Sequence, residues 1–572
     1  MTALHTLAML LMPHLLLAPI ALPLLTAALM LLLREDQQRL KVTVNLFSTL
    51  LGLVVAVLLL AWVHHSGEPA PLGVYLPGNW PAPFGIVLVL DHLSAMMLVL
   101  TSSVALASIL FAATHWHRAG VHFHPLFQFQ LMGLAGAFLT ADLFNLFVFF
   151  EIMLAASYGL LLHGSGRQRI KAGLHYIAIN LAASSLFLIG VSMLYGITGT
   201  LNMADLARSI PTVAAADRGL LHSAAAILAT AFLIKAAVWP LNFWLVPAYS
   251  AATAPVGALF ALMTKVGVYT LLRLWTLLFG VDAGPSALYG SLWLVGGGMV
   301  TMAFGAIGML GAQRLTHLAG FAAILSSGTL LAAGGFGQPQ LTAGLLYYLP
   351  SSTLAVSALF LLADPIDRWR NDGAHQAPHE QGDDAPFLNP ELVPTERLKP
   401  DDDEEALIGR VIPAATALLG LSFLLCTLVI TGLPPLSGFV GKFAMLTALL
   451  NPLGLGASAD TPLSAWSWTL LALMVGTGLL ALITLTRTGI RHFWASYGRS
   501  APRLRVLEGL PIALLLGGCV VLTLQAQPAM DYAHRTAQGL HQPARYVQAV
   551  LSAMPVPNPA RPNAATPLPE AP

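Results

Sequence analysis

Charge is scarce in this sequence: only 9% of its 572 residues are Asp, Glu, Lys or Arg, against about 25% in an ordinary soluble domain. Its two cysteines, Cys426 and Cys519, both lie in apolar runs. That excludes a disulfide framework and leaves no thiol spacing for zinc or an iron–sulfur cluster. A net charge of +1 provides neither the basic footprint of a nucleic-acid binder nor a strongly acidic surface. No nucleotide, haem or quinone motif is present, so no cofactor and no metal are expected. Nor does a cationic segment precede the first apolar run, 7–33, which is too long for a signal-peptide core and reads as a membrane span. What the chain has in abundance is apolar residues, 56% of the total, with a mean hydropathy of +0.74. These values describe a polytopic membrane protein.

A span needs about 20 mainly apolar residues. Breaking the chain at charged and Gly/Pro-rich punctuation yields about fourteen spans by that measure, beginning near residues 7, 43, 90, 124, 143, 172, 221, 250, 286, 318, 342, 407, 463 and 508. With both termini outside, two-thirds of the basic residues fall in inner loops, as the positive-inside rule requires. Half of the 26 acids lie between Asp364 and Glu405, where no apolar pattern exists; this reads as a solvated cytoplasmic insert. The tail from 528 to 572, rich in Pro and Ala, reads as a flexible outer extension. "HWHRAGVHFH" places His115, His117, His122 and His124 in an inner loop. Gly120 interrupts their spacing and no thiol or carboxylate stands nearby, so contact with water and headgroups is expected rather than metal binding.

Three lysines and one glutamate remain inside spans: Lys235, Lys265, Lys442 and Glu151. A charge at the centre of a membrane helix costs about 2.5–3.5 kcal/mol on insertion scales, so it needs a partner, water or a function. Plain alternatives exist: a lysine near a helix end snorkels to the interface, and a Glu–Lys pair can simply tie two helices together. Prolines favour the functional reading. Pro240, five residues after Lys235, and Pro434 and Pro435, before Lys442, should break their helices beside the charge. Broken membrane helices persist only where protein buries them or water lines them, and two such breaks in corresponding halves fit inverted repeats of a transporter. Glu151 is expected to pair with Lys235, and the set can act as a row of loadable proton sites.

The stretches "FFEIMLAASYGLLL", "FLIKAAVWPLNFWLVPAYSAATAPVGALFALMTKVGVYTLLR" and "GLPPLSGFVGKFAMLTALL" resemble the signature segments of the antiporter-like membrane subunits shared by respiratory complex I and Mrp-type cation/proton antiporters. The resemblance covers nearly the whole chain and is nearest the D-type Mrp subunits. It implies an all-α polytopic fold of about 14 transmembrane helices, with helices 4–8 and 9–13 as two inverted five-helix repeats and helices 7 and 12 discontinuous. The corresponding divisions are 1–123, 124–280, 281–505 with the acidic insert 364–406, 506–527 and the tail 528–572. It also implies a proton relay of Glu151, Lys235, Lys265 and Lys442, the last at the exit. The eleventh span departs from the pattern: where relatives commonly carry a histidine, this chain has Pro350, Ser351, Ser352 and Val356. Water, Ser351 and Ser352, or His317 would have to join Lys265 to Lys442.

The function so implied is that of a proton-translocating subunit of a multisubunit Na⁺/H⁺ or K⁺/H⁺ antiporter, multi-pass in a bacterial inner membrane with both termini periplasmic. Its expected partners are the other antiporter subunits, H⁺, Na⁺ or K⁺, and membrane lipid, with no nucleic acid. A proton-pumping subunit of complex I or of a membrane-bound hydrogenase is the second reading. A scaffold whose buried charges only lock helices together is the third.

Overall fold

The computed structural model describes residues 14–65, 73–116, 120–375, 414–452, 463–494 and 504–555. Among them, twelve helices are long and apolar enough to cross a bilayer, and two more, Ala18–Leu32 and Ser437–Leu450, are apolar but shorter. The first four are α1 (Ala18–Leu32), α2 (Gln38–His65), α3 (His92–Ala112) and α4 (Phe123–Leu139). Next come α5 (Leu143–Leu162), α6 (Arg167–Thr198), α7 in two pieces (Arg218–Lys235 and Leu245–Ala251) and α8 (Ala254–Leu278). Then follow α9 (Ser291–Gly311), α10 (Leu315–Gly335), α11 (Pro339–His375) and α12, again in two pieces (Ala414–Thr431 and Ser437–Leu450). The last are α13 (Ala465–Gly489), α14 (Val506–Leu524), α15 (Ala526–His541) and α16 (Pro543–Leu551). The helical class is as expected; a two-stranded antiparallel sheet, β1 (Gly73–Tyr75) with β2 (Leu88–Leu90), is an addition to it.

Local chemistry sets the helix starts. Asp91 accepts from the Ser94 N–H at 2.9 Å in a capping box that begins α3, and Asp142 does the same for α5 through the Asn145 N–H. Each acceptor satisfies a donor that has no partner within its own helix. Packing is set by small residues. A Cβ on Gly305 of α9 would lie 2.7 Å from the Leu325 nitrogen of α10, and one on Gly328 of α10 would lie 2.6 Å from the Met302 nitrogen. Hydrogen in place of a side chain lets these two helices meet backbone to backbone, which is how membrane helices gain contact without a hydrophobic drive.

The core is made by α8, α10 and α11, buried along nearly all of their apolar windows, whereas α2, α13 and α14 are only about one-third buried and present the remainder outward. A helix that is apolar on every side belongs in such a centre. Lys265, Ser326, Ser351 and Ser352 are therefore built into the most enclosed part of the molecule.

Three expectations need correction. The tail is not an extension from residue 528, because residues 526–551 fold as α15 and α16. Ala533, Ala537 and Leu540, and then Tyr546 and Val550, recur at helical spacing and are buried, a pattern that the Pro- and Ala-rich composition concealed. The acidic segment likewise does not begin as a loop at Asp364, since α11 runs to His375. There Arg368 bridges Asp364 at 3.2 Å and Glu508 of α14 at 2.7 Å. His124 is no loop residue either: it is buried in the first turn of α4, with Nδ1 2.9 Å from Nδ2 of Asn45. His117, the remainder of the acidic segment over 376–406, and 556–572 lie outside the described residues.

Candidate functional site

Both broken helices end their first halves by the same device. In α7 the Val238 N–H reaches back to the Leu233 carbonyl and the Ala237 N–H to Ile234, with Ala237 in the left-handed region at φ 55°. In α12 the Gly432 and Leu433 N–H groups both reach the Leu428 carbonyl, and Gly432 has φ 78°. These are C-terminal caps built on a left-handed residue, and they stop each helix before its proline is reached. Beyond the first cap, Pro240 lies in a turn whose Trp239 N–H is taken by the Thr301 hydroxyl at 3.0 Å. Gly267 of α8 backs this break, because a Cβ there would lie 2.6 Å from the Ala236 nitrogen. Pro434 and Pro435 fill the second interruption.

Each break holds a lysine at the carbonyl end of a half-helix. Lys235 is the last residue of the first half of α7. Lys442 belongs to the second half of α12 but turns back, donating to the carbonyls of Thr431 at 2.8 Å and Ile430 at 3.1 Å. Unsatisfied carbonyls at a helix C-terminus carry partial negative charge and favour a cation there. Lys442 Nζ sits at such carbonyls, whereas Lys235 Nζ is directed across to Asn180 of α6.

No ion pair within 4.0 Å joins Glu151 to Lys235, although the glutamate charge still acts on the lysine at longer range. Two residues one turn apart on α6 stand in its place. The Ser184 hydroxyl donates to Oε1 of the half-buried Glu151. Asn180 accepts from Lys235 Nζ at 2.8 Å through Oδ1, while its own Nδ2 donates to the Tyr176 carbonyl at 2.7 Å. That second bond fixes the amide so that oxygen faces the ammonium.

Lys265, 1% exposed, donates to the hydroxyls of Ser326 at 2.9 Å and Ser327 at 3.3 Å on α10. Ser326 donates in turn to Ser352 of α11 at 2.9 Å. The neighbouring Ser351 lies 2.7 Å, oxygen to oxygen, from Ser437, the first residue of the second half of α12. Lys442 follows five residues later on the same half-helix. Lys265, Ser326 and Ser352 stand eleven to thirteen residues into their helices, about 16–20 Å along the axis, near mid-depth of a hydrocarbon core about 30 Å thick. Hydroxyls both donate and accept, so such a row passes hydrogen bonds onward where apolar side chains would end them.

His317 has a different location. It sits in the first turn of α10 and, with Lys171, His175, Trp244 and Arg314, lines a cavity of about 510 Å³. Nine residues separate it from Ser326, about 13 Å of helix, and no hydrogen bond ties it to Lys265 or Lys442. Among the described residues no group of three His, Cys, Asp or Glu side chains gathers as for a metal. The sequence reading passed over Asn180, Ser184, Ser326 and Ser437 because it counted charges. The available signal was neutral: Asn180 and Ser184 lie four residues apart in an apolar span and so share one helix face.

A bundle with two interrupted helices, each carrying a buried amine at the break, has a close counterpart among solved structures. The chain superposes on one from the Mrp complex of Dietzia sp. DQ12-45-1b with a TM-score of 0.78 and 25% identity, covering 94% of this chain and 99% of that one. Residues 140–375 match the family described as NADH:quinone oxidoreductase/Mrp antiporter, TM. The class is therefore the antiporter-like membrane subunit. Among curated relatives, the D-type subunit of a probable K⁺/H⁺ antiporter of Rhizobium meliloti is 51% identical across 94% of this chain and 98% of its own length. The D-type subunit of a Na⁺/H⁺ antiporter of Alkalihalophilus pseudofirmus is 32% identical across 94% and 100% respectively. The chain belongs to the family of D-type subunits of Mrp antiporters.

Proposed function

We propose that this chain is the proton-translocating subunit of a multisubunit monovalent cation/proton antiporter in a bacterial inner membrane. The observation that carries the proposal is the row of polar groups at mid-membrane: Glu151, Ser184, Asn180 and Lys235 on one side, and Lys265, Ser326, Ser352, Ser351, Ser437 and Lys442 on the other. Each amine is held by neutral acceptors, with no carboxylate of the described residues within 4.0 Å, so gaining or losing a proton does not require breaking a tight ion pair. Ser351 and Ser352 lie in the stretch where the resemblance notes a histidine in relatives, and they connect to two different neighbouring helices, α12 and α10. K⁺ as the exchanged cation is supported by the 51% relative and Na⁺ by the 32% one. The 51% identity to an antiporter subunit over 94% of the chain favours this assignment over membership of a redox complex, whose chains share the fold at 20–22% identity.

The test is cation-dependent proton exchange by the assembled complex in vesicles, with K⁺ and Na⁺ compared at matched pH gradients. Ser326→Ala removes a hydrogen bond to a charged group worth about 1.5–3 kcal/mol, and if that contact is made in the rate-limiting step exchange slows about ten- to a hundredfold. Ser326→Thr, which keeps the hydroxyl, retains most of the rate. Assembly at wild-type levels with undiminished exchange in both Ser326→Ala and Lys265→Met would leave only the scaffold reading.

A further inference from the structure

A second cavity, unrelated to the polar row, opens on the flank of the bundle between α2, α3, α11 and α14, beneath the start of α15. Its volume is about 650 Å³ and its walls are almost wholly apolar, with Leu53, Met96, Leu346 and Leu515 representative of the four helices. Along α2 it runs from Leu53 to His65, about 18 Å of helix, close to half of a hydrocarbon core about 30 Å thick. The cavity thus spans the depth of one leaflet. Along that length the walls are mostly Leu, Val and Met side chains from the four helices. A hydrocarbon chain fits such a slot.

The outer end is polar. His64 and His65 close α2, Tyr532 of α15 stands with its ring 5.9 Å from that of His64, and Arg535 of α15 is within electrostatic reach of the same histidine. Nδ1 of His64 is buried there with no hydrogen-bond partner. Donors and a fixed cation at headgroup depth, above an apolar slot one leaflet deep, match the anionic phosphate and the acyl chain of a phospholipid. α2 and α14 also expose most of their surface to the bilayer, which gives a lipid its route of entry.

We propose that this cavity holds one phospholipid of the leaflet at the α15 face, its acyl chain in the slot and its phosphate at His64, His65 and Arg535. The occupant would do more than fill space. Tyr347 and Pro350 of α11 also line the cavity, and Pro350 cannot donate to the Leu346 carbonyl. A proline-weakened turn of α11 therefore lies between the cavity and Ser351 and Ser352, where the lipid would brace it.

The complex containing this chain is purified in mild detergent, its bound lipid counted by native mass spectrometry, and the cavity imaged by cryo-electron microscopy. Wild type is expected to retain one phospholipid that the cavity-filling variants Ser103→Phe and Ala529→Phe lose while still assembling. Ala529→Val, the milder change, gives partial loss should the phenylalanines hinder folding. Arg535→Ala weakens retention by about tenfold, one decade of affinity. Equal retention by the filled variants, no bound lipid on wild type, or a helix from another subunit in the slot would each overturn the assignment.

Discussion

At the scale of single residues, the site depends on neutral acceptors as much as on charges. Among the described residues, Asn180 is the only side chain that accepts from Lys235, and its replacement by leucine leaves a buried ammonium without that partner. The bond belongs to the charge-assisted class, about 1.5–3 kcal/mol. Asn180→Leu should therefore cut cation-driven proton exchange by about tenfold or more, measured as initial rate per subunit in the membrane. Asp91 and Arg273 illustrate a different use of charge. Their bidentate contact, at 2.6 and 2.7 Å, ties the start of α3 to α8, and the guanidinium lies over the rings of Tyr269 and Tyr546. Burial is the largest single influence and works to raise the Asp91 carboxyl, but the Arg273 charge and the hydrogen bonds from Arg273 and Ser94 together outweigh it, holding the group below the usual carboxylate range. A depressed folded value means that the pair stabilises above the unfolded carboxylate value of about 3.9 and that this stability is lost as pH falls through the folded value. The pair's contribution should accordingly stay constant from about pH 8 to about pH 5. Asp91→Asn should cost about 3 kcal/mol or more throughout that window, seen by thermal unfolding of the purified complex.

At the scale of elements, the breaks in α7 and α12 are controlled by their caps. Pro240 was legible in the sequence as a helix breaker, yet the first half of α7 ends at Lys235, where the left-handed Ala237 closes it. Alanine is an unusual choice for that conformation, and nothing in its local sequence marks it. Gly432 is the corresponding residue in α12, and there a side chain would meet two obstacles: the positive φ and Cδ of Lys442. Gly432→Ala should cost about 1–3 kcal/mol of strain and displace Lys442 from the Ile430 and Thr431 carbonyls. Ala237→Gly, by contrast, relieves a strained alanine and should be neutral or stabilising by up to about 1 kcal/mol. Thermal midpoints and exchange rates of the two variants, compared side by side, test whether the cap positions the amine.

At the scale of the whole molecule, α15 and α16 form a strap across one face. Tyr532 donates to the His92 carbonyl at 2.6 Å, Thr342 lies 2.9 Å from His541, and Tyr546 covers Arg273. The strap thereby joins α3, α8 and α11, three helices far apart in sequence. A chain ending at Gln525 should still insert, because α1 to α14 carry the spans. It should nevertheless unfold at lower temperature and exchange protons more slowly, since Arg273 loses its cover and α11 loses a restraint. Comparing truncated and full-length complexes by scanning fluorimetry and vesicle exchange measures both effects.

By itself the sequence determined the solvent, the helical class and the four intramembrane charges. Apolar run length, scarce charge and proline position are local properties, and a bilayer penalises their violation residue by residue. Which groups those charges meet was decided only by the tertiary structure. Glu151 and Lys235 appear complementary as opposite charges in neighbouring spans, yet packing α6 between them placed Ser184 and Asn180 at their heads. Lys442 looked isolated until the turn at Gly432 let it reach back to the end of its own broken helix. Ser351 and Ser352 were visible as hydroxyls, but their bonds to α12 and α10 depend on the rotation of α11 about its axis. The burial that holds the strap came from a face of α15 that composition hid. Helix rotation and contact between distant segments follow from side-chain packing summed over the bundle, which no single window of sequence contains.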